Sequence, residues 1–156
     1  IPNVVENFLK HFKKSEKDYE ILLELGNWYF NQKKYAMVAI NINESIRNFV
    51  IDIFGLDNCE KGIGLKIKDH FYYSQRKLNG IRHKNELEKK EHRLCRILFK
   101  SQEIRNDISH SLGKRIQVNN DIKYLKDSIE FLRTVMYDKK FISYYENKYA
   151  NGLLRK

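Results

Sequence analysis

The stretch YAMVAININESIRNFVIDIFG, Tyr35 to Gly55, decides the fold class. Tyr35, Val38, Ile42, Ile46, Phe49 and Ile53 recur at helical steps, which places them on one face of an α-helix. Gly55 follows where a helix sets its left-handed C-terminal residue. Upstream, Ile21, Leu22, Leu25, Trp28 and Tyr29 form a second apolar stripe, and Asn31-Gln32-Lys33-Lys34 interrupts it before Tyr35. The two stretches therefore read as a helical hairpin.

The same period continues through the chain. With one proline and seven glycines there are few breakers, and no stretch alternates in the manner of a strand, so the expected fold is all-α. Gly55 to Gly64 reads as a loop and Lys66 to Gly80 as a helix crowded with aromatics. A long helix is expected from Asn85 past His110, with Leu94, Ile97, Leu98, Ile104, Ile108 and Leu112 on its core face. Another begins with Asn119 or Asn120 as N-cap and turns Ile122, Leu125, Ile129, Leu132, Val135 and Met136 inward. The last residues, from Phe141, read as a short helix and a frayed tail. No repeat or linker interrupts residues 1–156, which are expected to form one domain.

Composition narrows the function classes. A content of 42% hydrophobic residues against 32% charged ones excludes a disordered chain. No apolar run approaches the roughly 20 residues of a membrane-spanning helix. Cys59 and Cys95 lie far apart without metal-ligand spacing, which leads us to expect reduced thiols in a cytoplasmic protein. His11, His70, His83 and His92 form no metal-binding pattern, and no cofactor is expected. A first residue of Ile1 rather than methionine points to a domain of a longer protein. The formal charge of +10 favours a polyanionic partner, RNA or DNA, although an AT-rich coding bias gives a similar lysine-rich composition.

Near the end of the long helix stands EIRNDISHSL, Glu103 to Leu112. At about 100° per residue, Ile104, Ile108 and Leu112 set the buried direction and Arg105 lies on its flank, while Asn106 and His110 point away from the core. His92, Phe99 and Glu103 share that outward stripe, and a phenylalanine on a solvent face calls for a cover. A second copy docked along the helix would supply it and bring two sets of Arg105, Asn106 and His110 into one groove. An arginine followed by a histidine after four to six intervening residues arises by chance about once in such a chain. Arg76 and His83 provide that chance match, with Gly80 between them.

The residues IRNDISHS resemble the R-N-x-x-x-H motif of HEPN-domain ribonucleases. Asn27 to Gly55, NWYFNQKKYAMVAININESIRNFVIDIFG, is similar to the first helical hairpin of the HEPN domains in CRISPR-associated ancillary ribonucleases of type III systems. The resemblance implies a dimeric HEPN-like bundle of long antiparallel helices, active in antiviral defence on single-stranded RNA without a metal. It also implies an upstream CARF domain that senses a cyclic oligoadenylate; no part of residues 1–156 looks like one.

The residue types suit that chemistry. Cleavage requires alignment of a 2′-hydroxyl on its phosphate, stabilisation of the phosphorane charge and proton management. An unperturbed imidazole, with a pKa of about 6.5, suits His110 to proton exchange, Arg105 offers a planar fork matched to phosphate oxygens, and Asn106 is placed to orient His110 or hold the 2′-hydroxyl. By resemblance the products are a 2′,3′-cyclic phosphate and a 5′-hydroxyl. Lys100, Ser109, Lys114 and Arg115 flank the motif as candidate RNA contacts. The plainer reading treats Arg105 and His110 as solvated cations favoured by the helix dipole. Lys84 to Arg93 likewise reads as a solvated helix face, and Tyr72, Tyr73, Tyr144 and Tyr145 as core or interface residues rather than base-stacking platforms. Two rivals stand beside the defence ribonuclease: a HEPN toxin neutralised by a protein partner, and a non-catalytic helical module that binds RNA or protein.

Overall fold

The computed structural model describes residues 17–110 and 118–155. Among these it is all-helical: α1 (Asp18–Asn31), α2 (Tyr35–Phe54), α3 (Ile63–Asn79), α4 (Glu86–His110), α5 (Val118–Met136) and α6 (Lys139–Lys148). No strand occurs among the described residues, and no described helix is long and apolar enough to cross a membrane.

The opening stretch is the centre of the molecule. Helix α2 packs against all five other helices, most extensively against α1 and α4. Val38, Ile42, Ile46 and Phe49 are fully buried, as their spacing predicts, and Gly55 ends the helix in the left-handed conformation at φ 59°. A helix enclosed on several sides also buries polar groups, here Asn41, Asn43 and Ser45. Each donates at least one hydrogen bond: the Asn41 amide to Met37 O at 2.7 Å within the helix, the Ser45 hydroxyl to Tyr19 O at 2.6 Å on α1, and the Asn43 amide to α4, although the Asn43 Oδ1 has no partner among the described residues.

The hairpin partner rolls differently from expectation. The buried residues of α1 are Tyr19, Leu23 and Gly26, whereas Ile21, Leu22, Leu25, Trp28 and Tyr29 are only half-buried. Two stripes of helical period run along α1, and fit against α2 selects between them. A Cβ at Gly26 would meet the Asn41 Cβ at 3.5 Å, so the missing side chain allows close approach, and the Tyr19 ring meets Phe49 edge-on at 5.1 Å. Arg133 of α5 closes the outer side with a two-pronged bond to Glu24 at 2.9 and 3.1 Å.

The remaining boundaries move by a few residues. Helix α3 begins at Ile63, three residues ahead of Lys66, after Gly62 turns the chain at φ 82°. Its core face is Ile67, Phe71, Ser74 and Leu78. Asn85 starts α4 with a reciprocal box: its side chain accepts the Glu88 N–H at 2.8 Å, and Glu88 accepts the Asn85 N–H at 3.0 Å. Helix α5 begins at Val118, ahead of both expected caps. The tail after α6 is not frayed through Leu154: Leu153 and Leu154 pack on the core, and the Leu154 N–H donates to His70 Nδ1 at 3.1 Å.

Candidate functional site

The register of the motif is set by α4. Leu94, Ile97, Leu98 and Ile104 are buried, and Arg105 and Asn106 are both exposed, one residue past the last described core contact of the helix. The helical backbone continues through His110, which places Asn106 and His110 one turn apart. The side chains of Ile108, Ser109 and His110, and the whole of Leu112, Lys114 and Arg115, lie outside the described residues. Lys100 is half-buried with its ammonium 3.5 Å from Glu103, a surface pair that turns it along its own helix.

One turn before Arg105, α2 grips α4. The Asn43 amide, fully buried, donates to Leu98 O at 3.1 Å and to the Ser101 hydroxyl at 3.3 Å, while Ser101 donates to Leu98 O at 2.9 Å. These bonds cross between helices in a place otherwise apolar, so they fix rotation and translation of α4 together. Asn43 and Ser101 are positioning residues that apolar periodicity could not reveal.

The outward stripe departs from its expected state at Phe99. That ring is half-buried and packs against the core, so it needs no second chain to cover it. His92 is also half-buried; burial, then Arg96 and Lys84, lowers its pKa below the usual imidazole value, with Glu91 opposing.

Lys84 to Arg93 is not wholly a solvated face. Glu91 is completely buried and forms the centre of a polar cluster. Its Oε1 accepts from Tyr144 and Lys148, both at 2.7 Å, and its Oε2 from Ser74 at 2.6 Å and from the Tyr149 hydroxyl. Burial alone pushes its pKa up; the bonds from Lys148, Ser74, Tyr149 and Tyr144 more than offset that and hold it below the ordinary carboxylate value. A signal for this existed: Glu91, Leu94, Cys95 and Leu98 fall on one helical face.

The cluster is built to hold helices together rather than to react. Burial pushes the Cys95 thiol up to about 12 and so keeps it from forming a thiolate. Burial lowers His70 to about 4; because Nδ1 accepts the Leu154 N–H, Nε2 carries the proton and donates to the Tyr145 hydroxyl at 2.8 Å. Tyr144 and Tyr145 are thus structural, while Tyr72 is exposed with the Arg76 guanidinium 5.8 Å from its ring centre. Arg76 lies within α3 and His83 beyond its end, with Gly80 between them. Among the described residues no three histidine, cysteine or carboxylate side chains gather as metal ligands.

No protein-family model, curated protein or solved structure matches the chain.

Proposed function

We propose that this chain is a metal-independent endoribonuclease of the HEPN type that cuts single-stranded RNA by attack of the 2′-hydroxyl on the adjacent phosphate. The supporting observation is the pairing of exposed Arg105 and Asn106 on an unbroken helix that runs on to His110, in a register held by buried Ile104 and by the Asn43–Ser101 bonds. Arg105 neutralises the phosphorane, His110 exchanges the proton, and Asn106 orients His110 across one turn or holds the 2′-hydroxyl. Two copies of the chain face each other along α4, so that each supplies one set of these residues to a shared groove. On this reading the chain is the effector part of a cytoplasmic CRISPR-associated defence protein, switched by a CARF domain that binds a cyclic oligoadenylate.

The test is cleavage of a labelled single-stranded RNA in EDTA by the unmodified chain and by Arg105→Ala and His110→Ala. Each substitution is expected to lower the rate by about 100-fold or more, with the thermal midpoint of Arg105→Ala unchanged because that side chain is exposed. Products should carry a 2′,3′-cyclic phosphate, and DNA of the same sequence should survive. Cleavage of that DNA, or full activity in both variants, would overturn the reading. Sedimentation of a monomer at micromolar concentration would remove the shared groove.

A further inference from the structure

Where the chain passes from α3 into the first turns of α4, Arg82, Lys84, Lys89, His92, Arg93 and Arg96 line a shallow groove of about 410 Å³. Its wall contains no carboxylate. Of the nearby acids, Glu86 pairs with the groove's Lys89 at 3.2 Å and offsets that one charge, Asp127 and Glu130 line the neighbouring pocket that Lys89 and Arg93 also border, and Glu91 is committed to the buried cluster. Two of the cations are oriented by neutral groups rather than by an ion pair among the described residues. The Lys84 ammonium donates to Ile81 O at 3.2 Å, and the Arg93 guanidinium lies 4.3 Å over the Phe131 ring. Arg82 and Arg96 are exposed and form no ion pair among the described residues. The His92 Nε2, out of contact with solvent, has no hydrogen-bond partner there.

We propose that this groove binds the phosphates of a nucleic-acid strand, with Arg82 and Arg96 on the phosphate oxygens and the His92 ring beside them. Like charges that outnumber their counter-charges repel one another, and an anion bound among them relieves that repulsion and releases condensed counterions. Lys89, Arg93 and Arg96 follow one another up a single face of α4. At 1.5 Å per residue that row spans about 10 Å, the rise of about three stacked nucleotides at 3.4 Å each. A single phosphate would need fewer cations. An acidic protein would need apolar anchors, and the large exposed hydrophobic residues, Met37, Leu65, Tyr72 and Tyr137, all lie outside the groove.

The inference stands apart from the ribonuclease reading, because the groove lies in the first half of α4 and the motif near its end. Binding is therefore measured with a strand that cannot be cut, a labelled 2′-O-methyl RNA of a dozen nucleotides, by fluorescence anisotropy over a range of salt. The double variant Arg82→Ser/Arg96→Ser is compared with Lys61→Ser/Lys68→Ser, which removes the same charge from exposed positions at the other end of α3. The groove variant is expected to bind about 10-fold or more weaker and to flatten the log–log salt slope by about 1.4, at ~0.7 per phosphate lost. Equal weakening in both double variants would show bulk charge alone and overturn the proposal, as would unchanged binding in the first. Displacement of the strand by a few millimolar inorganic phosphate would mark a single-phosphate site and overturn the strand reading. In the unmodified protein, addition of the strand should shift the His92 imidazole resonances and leave those of buried His70 in place; a motionless His92 would also overturn it.

Discussion

At the residue scale, the decisive facts concern ionisable side chains whose surroundings settle what they do. Asn106 was legible as an outward residue from the wheel that buries Ile104, whereas Arg105, expected on the flank of the core face, is exposed as well. Glu91 was misread because a charged residue in a run of charges is nearly always solvated; four donors, one from α3 and three from α6 and its C-terminal end, make the exception. His70 yields a prediction. Its folded pKa of about 4 lies below the unfolded value near 6.5, so between those values the unfolded chain holds the extra proton. Stability is accordingly full above about pH 6.5 and falls as pH drops toward 4, by up to about 1.4 kcal/mol per pH unit from this group. Urea midpoints from pH 7 to 5 should fall more steeply in the unmodified protein than in His70→Gln; parallel curves would contradict the assignment. His92 titrates in the same direction, which is why the comparison with the variant, and not the slope alone, carries the result.

At the scale of elements, four of the six described helices were anticipated from period and caps, while α3, crowded with aromatics and without a clean period, and the short α6 of the tail were expected as helices without that signal. Gly55 and Asn85 mark boundaries by local chemistry, a left-handed residue and a reciprocal cap, so they need no tertiary context. The face of α1 was not legible, since its two stripes are equally periodic and only the close approach at Gly26 and the Tyr19–Phe49 contact separate them. The grip of α2 on α4 belongs here too. Asn43→Ala removes both inter-helix bonds and leaves a gap, and should lower unfolding free energy by about 1–3 kcal/mol. On the ribonuclease reading it should also slow cleavage while every motif residue remains in place. Unaltered stability measured by urea unfolding would show that the register of α4 is held by its apolar face alone.

At the scale of the whole molecule, α2 touches every other described helix, so the bundle should lose its structure in one step. Phe49→Ala, in the middle of α2, is expected to cost about 3–5 kcal/mol, with Trp28 fluorescence and helical circular dichroism still falling together. Separate transitions for the two signals would mean that the α1–α2 hairpin unfolds on its own. The basic groove also belongs to this scale: Arg82 and Lys84 follow α3 while Lys89, Arg93 and Arg96 ride on α4, and the turn between the helices gathers them. What the sequence by itself determined is the helical class, the cap at Gly55, the core face of α2, α4 and α5, and the outward placement of Asn106. All of these follow from a period and from bonds between near neighbours in the chain. The tertiary structure alone decided which stripe α1 buries, the neutral His70 and the buried Glu91, and the grouping of the groove cations. Each depends on partners many residues away, and burial there changes both the cost of a charge and the hydrogen bonds that can offset it.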